Sequence, residues 1–467
     1  MRPSDRDAQE HHASHPLGLI RSACPGIAWP AAPGADGAQA LALQFQLELS
    51  QWYRPEQLQE LQFRQLDALL RHAHATVPYY RERWSGIYDP GVPLTLERFS
   101  RLPVLTRRAL QNEFEALKSA SPPPEHGAPV ETRSSGSTGM PVRVLKTPLS
   151  DLVWQGIMLR EQLWHGRDLA GTLAVIRRTV EQQESRGWGG SIDAVASTGR
   201  AVLLSIATEA AAQLSWLEQH QPDYLLTYPS NVAELARLAL ERGTRLTRLR
   251  EVLTIGEVVA PEHRALCRQA WNVPIVDAYS AEEAGYMALQ CPGSEHYHVQ
   301  AESALVEILD TRGKPCAPGQ AGLVVVTPLH AFAMPLVRYV VGDYAEPGPP
   351  CSCGRGLPVL NRVMGRTRNT LVLENGERYW PFFGTHRFTD LAPIVQHQFV
   401  QKTHGVIEAR LMTARPLTPE EEQRFTAHVQ ARLPAPFEIR IAYVREIPRG
   451  AGGKYEDLVS EIGGGES

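Results

Sequence analysis

Apolar and polar positions change rhythm several times along the chain. From Pro55, Leu58, Leu61, Leu66, Leu69 and Leu70 recur at helical spacing and the pattern stops before Pro78, which predicts a helix. Further on, short apolar runs alternate with helical stretches. LAVI (173–176), YLLTY (224–228), VLTI (252–255) and PIVDAY (274–279) read as buried strands, and NVAELARLALERG (231–243) and PEHRALCRQAW (261–271) read as helices. Such alternation predicts an α/β domain with parallel strands. ALVEIL (304–309) and GLVVVTPL (322–329) predict a later, more antiparallel β region. After about residue 365 the texture shifts again: GVIEARLM (405–412) alternates like a strand, Thr418 caps a helix with Pro419 at its first position, and FEIRIAYV (437–444) alternates once more. This β–α–β unit predicts a small α+β module, with its boundary near Gly365–Asn369.

The ends of the pattern carry less order. Residues 1–45 are rich in Pro, Ala, Gly and His with little periodicity, and predict a flexible N-terminal arm. SPPPEHGAP (121–129) predicts a loop. A length of 467 residues fits two to three domains, and 43% hydrophobic with 21% charged residues fits a soluble globular protein. The 47 Lys and Arg against 51 Asp and Glu give a net charge of −4, which removes the electrostatic case for nucleic-acid binding. No apolar run approaches the roughly 18–20 residues of a membrane span, and the polar N-terminus lacks a signal-peptide core, so a cytoplasmic protein with no membrane partner is expected. Six cysteines are too few for a disulfide scaffold.

Four stretches offer chemistry. In Ser134–Pro141 (SSGSTGMP), six consecutive Ser, Gly and Thr residues present backbone N–H groups and small hydroxyls suited to a polyphosphate, without the lysine of a Walker loop or the GxGxxG of a dinucleotide site. In DAYSAEEAG (277–285) two carboxylates follow a strand, where an open α/β sheet gathers ligands and a carboxylate can hold Mg²⁺. VRYVVGDY (337–344), followed by GRTRN (365–369), places an aspartate able to accept both hydroxyls of a ribose. IPRGAGGKYEDL (447–458) carries Lys454 in a Gly-rich loop that can bring a cation to developing negative charge. Each alone also reads as an ordinary surface turn.

Together and in this order, they resemble the adenylate-forming superfamily of acyl-CoA synthetases, in its phenylacetate-CoA ligase-like branch. The phosphate loop resembles Ser134–Pro141; the Tyr-Gly-x-Ser/Thr-Glu motif resembles Tyr279–Glu283; the Arg-Tyr-x-x-Gly-Asp motif resembles Arg338–Asp343; the Gly-Arg hinge resembles Gly365-Arg366; the Gly-Lys tail resembles Gly453-Lys454. VPYYRERW (77–84) and LPVLT (102–106) are also similar, so the resemblance spans roughly residues 50–462. It implies an α/β fold, with a large N-terminal adenylation domain of mixed sheets and helices (46–365) plus a small mobile α+β C-terminal domain (366–467) that carries the lysine loop.

The resemblance further implies roles. Ser134, Ser135, Gly136, Ser137, Thr138 and Gly139 would cradle the ATP phosphates, and Ser280 would be a further ATP-binding residue. Gly256, Glu257, Asp277 and Tyr279 would frame the adenine, and Asp343 and Arg366 would hold the ribose. Glu283 would ligate Mg²⁺, Lys454 would stabilise charge during adenylation, and Arg368 or Asn369 would be the hinge. Three positions depart from the family pattern: Ser280 replaces glycine, Glu282 replaces Ser or Thr, and Val142 follows Pro141 where a lysine often closes the loop, leaving Arg143 or Lys146 as substitutes.

Cys291 with His298, and Cys351 with Cys353, form two ligand pairs that can close a structural Zn²⁺ site, as in part of that branch; His296 is a rival imidazole, and scattered free cysteines are the other reading. Cys24, Cys267 and Cys316 are expected to stay unligated. The reaction implied is ATP-dependent activation of a carboxylic acid to an acyl adenylate with release of pyrophosphate, then transfer to a thiol, foremost coenzyme A. A carrier protein or an amine remains an alternative acceptor, and a non-catalytic nucleotide-binding protein or a kinase-like phosphotransferase an alternative class. An aryl or arylacetic acid follows by analogy alone; Trp154, Trp188 and the segment Tyr228-Pro229-Ser230 are candidates to line its pocket, with core packing the other reading of the aromatic residues. Oligomeric state is open, a homodimer included.

Overall fold

The computed structural model describes residues 20–133, 141–178, 182–366, 370–376, 378–379, 388, 391–447 and 456–462. The expectations for Ser134, Ser135, Gly136, Ser137, Thr138, Gly139, Arg368, Asn369 and Lys454 therefore fall outside the described residues. The first described elements are α1 (Ala35–Ser50), α2 (Pro55–Thr76), α3 (Pro78–Arg83), α4 (Leu96–Ser100) and α5 (Arg107–Asn112). The antiparallel pair β1 (Val130–Arg133) and β2 (Arg143–Lys146) flanks the serine–glycine stretch. Next come α6 (Pro148–Trp164), β3 (Leu173–Arg177), β4 (Gln183–Ser185), α7 (Gly190–Val195), β5 (Ala201–Ser205), α8 (Ala210–His220), β6 (Tyr224–Thr227), α9 (Pro229–Arg242), β7 (Glu251–Ile255), α10 (Pro261–Trp271) and β8 (Ile275–Ala281). The antiparallel run is β9 (Gly285–Gln290), β10 (Tyr297–Val299), β11 (Ala304–Leu309), β12 (Gly322–Pro328), β13 (Tyr339–Pro347) and β14 (Val359–Arg366).

One twelve-stranded sheet unites β3 to β14 in the order β11-β12-β13-β14-β10-β9-β8-β7-β6-β3-β5-β4. Strands β5, β3, β6, β7 and β8 are parallel neighbours. Their unbroken apolar runs follow from this, because a parallel sheet is covered on both faces. Ala174, Val202, Leu225, Val252 and Ile275 bury against Leu214 and Leu217 of α8, Val232 and Leu235 of α9 and Cys267 of α10. From β8 onward the pairing turns antiparallel, and α2 to α5 cover that half through Leu66, Leu70, Tyr80, Trp84, Phe99 and Leu110.

The C-terminal part holds β15 (Leu371–Val372), β16 (Arg378–Tyr379), β17 (Ile394–Thr403), β18 (Val406–Thr413), α11 (Pro419–Gln430), β19 (Glu438–Tyr443) and β20 (Leu458–Ser460). Its four-stranded sheet, β19-β18-β17-β20, packs Phe399, Ile407, Ala409 and Leu411 against Phe425 and Val429 of α11. Thr418 makes the expected cap: its hydroxyl accepts from Glu421 N–H, and the Glu421 carboxylate accepts from Thr418 N–H.

The structure corrects one expectation. The stretch read as an arm to residue 45 contains most of α1, which packs on α6 and α7. Its inner face is Gly37, Ala40, Gln44 and Leu47, too small and polar to register as an apolar stripe. Small size is what the contact requires: a Cβ on Gly37 would meet the Ala194 carbonyl at 2.3 Å, and one on Gly156 would meet the Leu43 side chain at 2.5 Å.

Candidate active site

The carboxyl ends of β3, β6, β7 and β8 open together into a cavity of about 1380 Å³. This is the edge where ligands of open α/β sheets collect. β7 runs out at Ile255 into Gly256, which adopts a left-handed backbone (φ 77°), and Glu257. Ser230 N–H, in the first turn of α9, donates to Glu257 Oε2 at 2.9 Å and fixes that carboxylate at the cavity wall. Gly365, on the opposite wall, lets Val258 approach; a Cβ there would meet Val258 Cγ2 at 2.7 Å.

On β8, Asp277 is buried and accepts from Thr254 Oγ1 and Tyr297 Oη, each at 2.7 Å, while its N–H donates to Gln290 Oε1. Burial pushes its carboxyl up to about 6, against the two hydroxyl donors that favour the charged form. Two residues on, Tyr279 Oη donates to Asp343 Oδ2 at 2.9 Å. Asp343 lies opposite Arg366 in the β13–β14 register, with Arg366 Nε 3.6 Å from Asp343 Oδ1. Burial and the Asp343 charge raise the Tyr279 phenol, so it stays a hydrogen donor. Tyr279, Asp343 and Arg366 thus form one cluster facing the cavity, reached from three strands.

The turn after β8 places Glu283 beneath that cluster. Its Oε1 accepts from Tyr339 Oη at 3.1 Å and lies 3.4 Å from Arg107 Nη1 at the start of α5. Ser280 and Glu282 also line the cavity, Glu282 being paired with Lys146 on β2. The structure therefore brings together Gly256, Glu257, Asp277, Tyr279, Ser280, Glu283, Asp343 and Arg366. Residues Ile394 to His397, Glu456 and Asp457 of the C-terminal part complete the wall.

Two partners of Glu283 were not picked out from sequence. Tyr339 stands on β13 four residues before Asp343, inside the same Arg338–Asp343 motif, and that motif is its signal. Arg107 had none, because its partner is 176 residues away. Arg338, inside the same motif, faces elsewhere: its guanidinium spans both Glu307 carboxylate oxygens at 3.0 Å and donates to Ser100 O. Of the acyl-pocket candidates, Tyr228 and Ser230 line the cavity; Trp154 stacks edge-on with Tyr286, and Trp188 packs against Tyr224 and donates to Gly171 O.

A second cluster lies at the other ends of β9, β10 and β14. Cys291 follows β9, His296 and His298 flank Tyr297 on the neighbouring strand, and Cys351 and Cys353 sit in the loop before β14. The ligand atoms of Cys291, His296, His298 and Cys351 all lie within 4.8 Å of one another. Cys353 Sγ is 3.4 Å from His298 Nε2, so all four expected ligands converge, with the rival His296 3.0 Å from Cys351 Sγ. Burial, then His296, lowers His298 to about 4, leaving a neutral imidazole. Burial, then Cys353 and Cys351, pushes the Cys291 thiol up to about 12. Cys24, Cys267 and Cys316 are free and outside this group.

No family model matches the chain. Among curated proteins it is similar to the phenylacetate-coenzyme A ligase of Thermus thermophilus, 24% identical over 379 residues, covering 76% of this chain and 80% of the relative. The phenylacetate-coenzyme A ligase of Escherichia coli is 23% identical, with 68% and 73% covered. Among solved structures, a 2-hydroxyisobutyryl-CoA ligase in the postadenylation state superposes with a TM-score of 0.66 at 18% identity over 86% of this chain and 89% of that one. An anthranilate-CoA ligase bound to anthranoyl-AMP gives 0.53 at 15% identity over 70% and 65%. The fold is that of the adenylate-forming CoA ligases, and the sequence resembles the phenylacetate-CoA ligase branch.

Proposed function

We propose that this chain activates a carboxylic acid, of aryl or arylacetic type, with ATP and passes the acyl group to the thiol of coenzyme A. The observation that carries the reading is the convergence of Tyr279, Asp343, Arg366 and Glu283 on the cavity at the carboxyl ends of the parallel strands. An aspartate held by a guanidinium and a phenol is oriented to accept both hydroxyls of a ribose. Gly256, Glu257 and Asp277 border the space beside it, which suits a flat base. Asp277 has its carboxylate committed to Thr254 and Tyr297, so it serves as wall more than as ligand.

In the first step an oxygen of the substrate carboxylate attacks the α-phosphorus and pyrophosphate leaves with the bond electrons. Positioning and charge stabilisation supply most of the acceleration. Lys454 would meet the negative charge that builds on the attacking carboxylate and the α-phosphate, after delivery by the small domain (366–467) pivoting at Arg368 or Asn369. In the second step the thiol sulfur attacks the acyl carbon, AMP departs, and the thiol proton passes to solvent. The Ser134–Gly139 stretch, between β1 and β2, would wrap the β- and γ-phosphates.

Two metals fit the residues present. Glu283, a buried carboxylate on the cavity, suits Mg²⁺, which takes one or two carboxylates plus phosphate oxygens and would offset charge on the leaving pyrophosphate. The Cys291, His298, Cys351 and Cys353 set, with His296 beside it, suits Zn²⁺ in a structural role, joining the β9–β10 turn to the loop before β14. A pyrophosphate-release screen across aryl, arylacetic, fatty and amino acids, with and without coenzyme A, tests the reading. Release that depends on one acid class, and an acyl-CoA product when coenzyme A is present, is the expected result. Absence of pyrophosphate with every acid, or ADP as product, would refute it.

A further inference from the structure

The acid turn after β8 carries two adjacent carboxylates, and each has its own cation. Glu283 lies against Arg107 from α5. Glu282 lies against Lys146 from the end of β2, with Nζ 2.6 Å from Oε1. The second pair involves two of the three departures from the family pattern, an acid where a hydroxyl is usual and no lysine directly after Pro141. Of the two cations that follow the serine–glycine stretch, strand geometry separates their roles, because residues three apart on a strand face opposite sides. Arg143 turns to the other face, its guanidinium 3.9 Å from the Phe114 ring centroid and 3.7 Å from Glu131. Lys146 faces the acid turn and is held from two directions: by Glu282, and by the Trp154 ring, whose centroid is 4.1 Å from Nζ. The Thr147 capping box that starts α6 fixes the backbone right after it. A cation gripped between a carboxylate and an aromatic face is placed to balance charge, and is poorly placed to swing out to a ligand.

We propose that Lys146 is a positioning residue for nucleotide binding, acting through Glu282: it cancels the negative charge that Glu282 adds at the cavity wall, so that a triphosphate can approach Glu283 and its Mg²⁺. This rests on the ATP reading above. With Glu283 as the carboxylate that would take the metal, a second one in the turn, unbalanced, would repel the phosphates. The chain has compensated its own Glu282 by Lys146, four positions beyond Val142.

The test is ATP affinity, measured calorimetrically in the presence of Mg²⁺ on the full chain. Lys146→Met leaves Glu282 unbalanced and weakens ATP binding about tenfold, the worth of one uncompensated charge at a partly exposed wall. Adding Glu282→Gln to it removes the stranded charge and restores affinity to within about threefold of the wild type, as does Lys146→Arg alone. Rescue by a second loss separates charge balance from mere structural support, since removing both partners would leave a structural defect in place. A double variant as weak as Lys146→Met, or Lys146→Met binding like the wild type, overturns the proposal while the wild type still binds ATP. A wild type that fails to bind ATP overturns the nucleotide reading and this pair together.

Discussion

Asp343 shows how a single side chain concentrates the account. It accepts from Tyr279, faces Arg366 and lies at the cavity wall, so its loss strands a phenol and a guanidinium as well as removing an acceptor. Hydrogen bonds to charged groups are worth about 1.5–3 kcal/mol, so Asp343→Ala should weaken ATP binding by about ten- to a hundredfold. Unchanged ATP affinity in a folded variant would remove the ribose assignment. Asp277 makes a different prediction. Its folded carboxyl titrates near 6 against an ordinary value of 3.8, because burial disfavours the charge. Between those two pH values the folded state holds more protons than the unfolded one, so the Asp277 contribution to stability is present at acid pH and is lost as pH rises towards 6. Asp277→Asn should flatten that part of the thermal-midpoint profile; an identical slope in variant and wild type would refute the shift. Site residues inside motifs (Asp343, Glu283, Tyr279) were legible in the sequence. Arg107, Thr254 and Tyr297 were not, because their partners are made adjacent only by sheet pairing.

At the level of elements, legibility followed patterning. The parallel strands and α9 and α10 were readable because apolar runs and 3.6-residue stripes are strong signals, and β6, β7, α10 and α11 fall where the sequence puts them. Helix α1 was not, because its contact face works through Gly37 and Ala40. The cysteine–histidine cluster was half-legible: spacing gave two pairs, but only the β9–β10–β14 pairing brings them together, and it brings His296 with them. If zinc joins these elements, Cys351→Ser should lower both zinc content by elemental analysis and the thermal midpoint. A protein that carries no zinc when purified without chelators would remove the metal, and the cluster would stand as free thiols.

For the whole molecule, adenylation as proposed draws on both the cavity of the large sheet and a lysine from the C-terminal part, while thioester formation does without that lysine. Because Lys454 is assigned to adenylation, Lys454→Ala should slow pyrophosphate release at least about a hundredfold while leaving thioester formation from a supplied acyl adenylate within a few-fold of wild type. Equal losses in both steps would contradict that division. The central claim is that the bond to the α-phosphorus of ATP is made by an oxygen of the acid. Isotope transfer tests it most directly. With the acid labelled with ¹⁸O in its carboxylate and coenzyme A present, one labelled oxygen should appear in AMP and none in pyrophosphate. Label in inorganic phosphate together with ADP, or AMP free of label, would contradict the account.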